Sequence, residues 1–176
     1  MATDESSSFT DTDRPLNRTM LQPRAADQCY QCHASYCGCS EPDRCVSIYE
    51  RCVIRKKMYH SLIYARRNST ISYFVQYRYG GTNFNFGKIQ FFFTSKQETF
   101  ALVEDQVMEK HFSDFFSSSP YYHLLSKSID SFYFVLSSKS SALRCIPVSS
   151  IENHCLCFEL LNSIIVTTLS LCYEHD

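Results

Sequence analysis

Between residues 70 and 79 apolar and polar positions alternate. Ile71, Tyr73, Val75, Tyr77 and Tyr79 fall on one face of an extended chain, and Ser72, Gln76 and Arg78 fall on the other. A period of two predicts a strand. Gly80-Gly81-Thr82-Asn83 follows, a run tolerant of positive φ, so a hairpin turn is predicted there with 84–95 as the returning strand. Gly87 in that return marks a bulge or a bend. Further strands are predicted at 59–66, 99–104, 131–138, 143–149, 155–161 and 163–171. From Asp105 to Phe116 the spacing changes: Val107, Met108, Phe112, Phe115 and Phe116 recur at a helical interval and predict one helix. With four glycines in the chain, Ser and Asn must serve many turns, and the serine clusters at 117–119 and 137–141 read as loops. The fold class is mainly β: a small antiparallel barrel or sandwich with at most one or two short helices. The Phe91-Phe92-Phe93 run adjoins a strand and must be covered, by this chain or by a partner.

Ahead of the strands the pattern fades. Residues 1–27 hold few large apolar side chains and many Ser, Thr and Asp, the composition of a disordered tail. Residues 28–52 form a cysteine-rich segment, and 53–176 the β domain. Six of the ten cysteines lie between Cys29 and Cys52. Cys29-x2-Cys32 is knuckle spacing, in which two thiolates share a tetrahedral zinc, and Cys37, Cys39 and Cys45, with His33 and Cys52, are candidates for the other ligands. A conventional ribbon would repeat the CxxC pair after some 15–20 residues, whereas here a CxC pair follows after four. Structural zinc, free thiols and disulfides all remain open for this segment. The strand-like stretch between Cys45 and Cys52 puts those two on opposite faces, so at least one belongs to the core. The first 20 residues carry neither a basic n-region nor an apolar h-region, so an intracellular chain with reduced thiols is expected, not a secreted one. No apolar run approaches the roughly 18 residues of a membrane span.

A net charge of −1 conceals an asymmetry along the chain. Residues 1–50 carry four basic and eight acidic side chains, 51–96 nine basic and none acidic, and 97–176 four basic and ten acidic. Within the middle block Arg51, Arg55, Lys56, Lys57, Arg66, Arg67, Arg78 and Lys88 are interleaved with Tyr59, Tyr64, Tyr73, Tyr77 and Tyr79. Cations that release counterions from phosphates, beside rings that stack on bases, are what a DNA- or RNA-binding face needs. The competing account is neutralisation within the chain, the basic strands pairing with the acidic final third.

Catalytic patterns are weak. His154-Cys155-Leu156-Cys157 invites a Cys/His nucleophile, yet strand alternation turns the two cysteines away from the histidine, and two small hydrophobes on a core face account for them better. Neither GxSxG, HExxH, a P-loop nor GxGxxG occurs. The acidic residues lack the spacing of a paired-carboxylate site. A non-enzyme is expected.

Residues 55–93 contain Tyr59-His60-Ser61, Arg67-Asn68-Ser69, Tyr73 with Val75 and Tyr77, and Gly87-Lys88-Ile89 with Phe92-Phe93. Later come the run from Ile146 to Leu160 and a closing Cys172-Tyr173-Glu174-His175-Asp176. Together these resemble the C-terminal β-rich domain of animal CACTA (En/Spm-like) transposase-like proteins, over about residues 50–176. The resemblance implies a transposon-derived, non-catalytic interaction module in the nucleus, since that family's catalytic acidic residues belong to an upstream domain not contained here. Two functions follow as expectations: a module that contacts nucleic acid through the block 51–96, or a purely structural or protein-binding β module. Exposed strand edges make a dimer conceivable.

Overall fold

Tyr77 and Asn85 face each other across the predicted turn, where Gly80 takes φ +73. The strands it joins are β4 (Phe74–Tyr77) and β5 (Asn85–Ser95). The computed structural model describes residues 14–19, 47–64, 73–81, 83–95, 97–160 and 163–168. The other elements are β1 (Arg14–Thr19), β2 (Ser47–Ile54), β3 (Lys57–His60), β6 (Glu98–His111), α1 (Tyr122–Ile129), β7 (Tyr133–Pro147), β8 (Ile151–Leu160) and β9 (Ser163–Thr168). Two 3-10 turns, Phe112–Phe116 and Val148–Ser150, complete the set. All the pairings are antiparallel. The protein is mainly β, as expected.

Hydrogen bonding runs β5-β4-β8-β9-β7-β6 and returns from β6 to β5, a closed circuit of six strands. Closure removes the unpaired edges that an open sheet would expose. Phe74, Phe86, Leu136, Cys155, Ile164 and Val166, drawn from five of the six strands, cluster on one face of it. On the opposite face Val75, Tyr77, Ile89, Phe92, Ala101, Val103 and Ile146 form a second core. It is closed over by Cys52 and Ile54 of β2, Tyr59 of β3, and Val148 and Ile151. β2 leaves the circuit from the C-terminal half of β5, pairing Ile48 with Phe93, and packs with β3 on this second core. A third cluster joins Phe91, Phe93, Phe100, Leu102 and Cys145. The three consecutive phenylalanines are thus buried by this chain itself, on both faces of β5.

Several expectations change. β4 is buried at every position rather than on one face, because it lies between β5 and β8 with a core on either side. Its inward polar group is satisfied: Asn153 Nδ2 donates to Gln76 Oε1 at 2.9 Å. Gly87 is not a bulge. It sits in register with Val75 and Asp105, and the register shift falls between Ile89 and Phe91. A Cβ on Gly87 would overlap Val103 Cγ1 and stand 2.7 Å from the Glu104 carbonyl oxygen, so the glycine allows β5 and β6 to approach. The predicted helix over 105–116 is instead the second half of β6 followed by a 3-10 turn, and α1 forms further on. Irregularities after Glu104, Gln106 and Met108 break the two-residue alternation there, which made the apolar spacing look helical. The serine-rich 137–141 is not a loop, because the backbone of β7 runs through it unbroken. Of the described residues 59–64, Tyr59 and His60 lie in a strand and Ser61–Tyr64 do not.

β1 lies inside the stretch expected as a tail and pairs with β2, with Pro15 on an edge strand where its missing N–H costs least. β2 likewise begins within the cysteine-rich segment. Between β6 and β7, the excursion through the 3-10 turn and α1 is pinned by Asp130, which accepts from Ser113 N at 2.9 Å and Ser113 Oγ at 2.7 Å. Among the described residues, no helix is long and apolar enough to cross a membrane.

Candidate nucleic-acid interface

The β2–β3 hairpin turns at Arg55 and Lys56, whose φ values of 48 and 67 are the left-handed pair of a tight two-residue turn. Neither residue is favoured there, and both side chains stand exposed at the tip. Lys57 follows half-buried, and Arg51 lies four residues before Arg55 on the opposite strand of the hairpin. The Arg51 guanidinium sits 4.9 Å from the Tyr64 ring centroid, and His60 stacks on the same ring at 4.8 Å. Arg51 Nε is buried without a hydrogen-bond partner.

Tertiary packing carries this hairpin to the 3-10 turn Val148–Ser150. Arg55 donates to Ser149 O at 2.9 Å, and the backbone N–H of Arg78 donates to Ser150 O at 3.0 Å. Two cations 23 positions apart in sequence therefore flank one turn. Arg78 then lies over the Phe84 ring, 4.2 Å from its centroid, and pairs with Glu152 at 3.0 Å.

The predicted set is thus divided. Arg51, Arg55, Lys56 and Lys57 share one hairpin, and Arg78 joins them through the turn. Lys88 does not: alternation along β5 puts it on the same face as Phe86, paired across the strands with Phe74 and Glu104. Arg66 and Arg67 lie outside the described residues, as do Cys29, Cys32, Cys37, Cys39 and Cys45. Among the described residues no group of three or more His, Cys, Asp or Glu is placed to hold a metal.

Beyond Phe84 lies a hollow of about 280 Å³ lined by Phe84, Asn85, Phe86, Asp105, Gln106, Val107, Met108 and Arg144. Asp105 is buried. Its carboxylate accepts from the Tyr77 hydroxyl and, at 2.8 Å, from Arg144 Nε. Burial and the Asp105 carboxylate push the Tyr77 phenol well above its ordinary pKa, so it stays a donor. This network escaped the sequence reading because a helix over 105–116 hides the signal. In a strand, Asp105 follows Ala101 and Val103 on one buried face, where a carboxylate demands partners.

The other candidate chemistry fares differently. His154 stacks flat on Tyr59, with centroids 3.7 Å apart, and its Nδ1 is buried without a partner. Burial, with help from Lys57 and His60, pulls its pKa down to about 4. Cys155 is buried in the cluster with Phe74 and Phe86, whereas Cys157 is exposed, so the pair does not share one environment. Burial pushes both thiols up rather than down, the reverse of what an activated nucleophile needs. Comparison with family models, curated proteins and solved structures found no match for this chain.

Proposed function

We propose that this protein is a non-catalytic binding module that contacts single-stranded nucleic acid along a path from the β2–β3 hairpin over the 148–150 turn to Phe84. The observation that carries this reading is the meeting of Arg55, at the exposed hairpin tip it shares with Lys56, and Arg78 at one turn, with cation–ring stacks of Arg51 on Tyr64 and of Arg78 on Phe84. Cations supply sequence-independent attraction to phosphates, and rings supply stacking. The transposon-derived origin and the nuclear location rest on the resemblance described above. The cysteine cluster enters as a structural zinc site, for which metal content per chain is the direct measure.

A second reading is favoured by one observation: Arg78 is paired with Glu152, and Lys88 faces Glu104 across the strands. On that account the basic block neutralises acidic strands, and the module is structural or binds protein.

Salt-dependent binding separates the two. The triple variant Arg55→Glu, Lys56→Glu, Lys57→Glu should weaken binding to a short single strand at least tenfold. It should also flatten the dependence of log K on log salt by up to about 0.7 per lost phosphate contact. Binding that ignores both salt and the triple reversal, or no binding by the wild type, refutes the first reading. Under the second, the reversals lower stability and no salt-dependent affinity exists.

A further inference from the structure

We infer that a second copy of this chain docks on the face of β7, β9 and β8 that turns away from the Phe74–Phe86 cluster, making a two-fold dimer. This inference goes beyond the nucleic-acid reading and stands apart from it.

Register defines the face. Tyr133, Thr167 and Leu156 are paired in one row across β7, β9 and β8, Ile165 pairs with Phe158 in the next row, and Ser163 with Leu160 in the last. Directly paired residues point to the same side of a sheet, and alternate residues along a strand share that side. Cys155, Ile164, Val166 and Leu136 lie between the rows and pack with Phe74 and Phe86, so the rows stand on the opposite side. Leu156, Phe158 and Leu160 are nevertheless 38%, 56% and 48% exposed, and Tyr133 is 39% exposed. Val135, which completes the middle row, is already covered, so the open surface runs along β8 and crosses to β7 through the Tyr133 row. Beyond Tyr133 it continues. The Phe112 ring lies 5.2 Å from that of Tyr133 between centroids and gathers the exposed Phe115 and Phe116 rings at 5.7 and 5.8 Å.

Size and charge name the occupant. A whole ring side chain buries about 200 Å², so the exposed parts of Phe158, Tyr133, Phe115 and Phe116 amount to roughly 350 Å², and the leucines of β8 add to it. A standard interface takes about 800 Å² from each partner, of which about 65% is apolar in homodimers, or roughly 520 Å². The face therefore supplies most of the apolar surface that such a dimer needs. None of the paired residues in these rows carries a charge, so phosphates and anionic headgroups find no counterpart among them. At the margin Lys110 Nζ lies 4.0 Å from the Phe115 centroid, and Asp114 stands exposed in the turn that holds Phe115. A margin bearing both signs is complementary to a copy of itself turned over by a two-fold axis. Uncharged rows also stack as the sheets of a sandwich do, about 10 Å apart with their side chains interleaved. The cations at the 148–150 turn stay clear of this contact: Phe158 lies seven residues along β8 from Ile151, roughly 23 Å at the rise of a strand.

The test is the mass of the full chain in solution under reducing conditions, by light scattering on a sizing column and by sedimentation equilibrium. Wild type should form a dimer of twice the 20.4 kDa chain. Phe158→Glu should raise the dissociation constant about 100-fold or more, because a two-fold interface carries each substitution twice and aromatic anchors are among the costliest residues to lose. Its exposed position makes this variant compatible with folding, which an unchanged circular dichroism spectrum checks; if the spectrum changes, Leu160→Lys takes its place. Glu159→Lys, at the next position but on the opposite face, should leave the dimer intact. A wild type that stays monomeric at its highest soluble concentration overturns the inference, and so does a dimer that Phe158→Glu leaves unchanged. Loss of the dimer in Phe158→Glu and Glu159→Lys alike also overturns it, because the contact then lies at the strand and not on one face. A monomeric wild type that binds phosphatidylcholine vesicles, and loses them in Phe158→Glu, assigns the face to a membrane and overturns the dimer. None of these outcomes touches the nucleic-acid reading.

Discussion

Replacing Gly87 with alanine sets two effects of opposite sign against each other. In the unfolded chain, Gly→Ala removes conformational freedom and contributes about 0.4–1 kcal/mol of stability where the native backbone permits it. At Gly87 the folded state opposes this. The new methyl would overlap Val103 Cγ1 and stand 2.7 Å from the Glu104 carbonyl oxygen, against the roughly 3.5–4.0 Å that non-bonded carbons prefer. Neither neighbour yields easily. Val103 is fully buried and stiff about χ1, and the Glu104 oxygen is backbone within the β5–β6 ladder. Overpacking of this kind costs about 1–3 kcal/mol, and backbone involvement places Gly87→Ala at the upper end, so the net loss should be about 2 kcal/mol. The displaced residue opposite Gly87 is Asp105, and the Tyr77 and Arg144 hydrogen bonds would loosen with it. Gly81→Ala is the control, since a Cβ there meets nothing within 4 Å and its φ is not positive. Urea unfolding of the two variants measures the difference, with the midpoint shifting at constant m. Gly87→Ala as stable as wild type, or more stable, would refute the claim that this glycine is required for close approach.

Stability should also fall on acidification through His154. Its folded pKa of about 4 lies below the ordinary 6.5, so the fold favours the neutral ring; the contribution is complete above pH 6.5 and is lost as pH drops from there to about 4. A shift of this size corresponds to at most about 3 kcal/mol, and partial exposure reduces it to about 2. His154→Phe, which keeps the stack on Tyr59, should flatten that limb of the pH–stability curve, and an unchanged limb would assign the titration elsewhere. Thiol labelling of the native protein should modify Cys157, more slowly than a free thiol, while Cys52, Cys145 and Cys155 wait for unfolding. Mass mapping of the labelled peptides reads this directly, and fast reaction at Cys155 would contradict its burial.

Local chemistry was legible where it acts over a few residues. A strand at 74–77, though not its one-sided burial, the glycine turn at Gly80 and the apolar return strand were readable, because strand period and positive-φ tolerance belong to single residues and their neighbours. So was the burial of the phenylalanine run, since a large apolar surface must be covered somewhere. That at least one of Cys45 and Cys52 belongs to the core was expected, and Cys52 is buried. The basic block was visible as composition.

What composition left open was decided by pairing partners distant in the chain. β6 continues as a strand through Asp105 to His111 because β7 offers a ladder there, and its irregularities erase the period that would have announced it. β7 crosses its serines for the same reason: the partner is supplied by residues some 30 positions earlier, and a backbone ladder overrides weak local preference. The circuit closes only when β6 returns to β5, a fact of three dimensions. Closure also sorts the charges. Lys88 turns to the Phe86 face, Arg55 and Arg78 meet at one turn, and Asp105 meets Arg144 across 39 positions. Sequence by itself determined that this chain would be a β protein with a basic middle. Which of those cations share a surface was decided only by the tertiary structure, because strand register, not residue type, chooses the face on which each side chain stands.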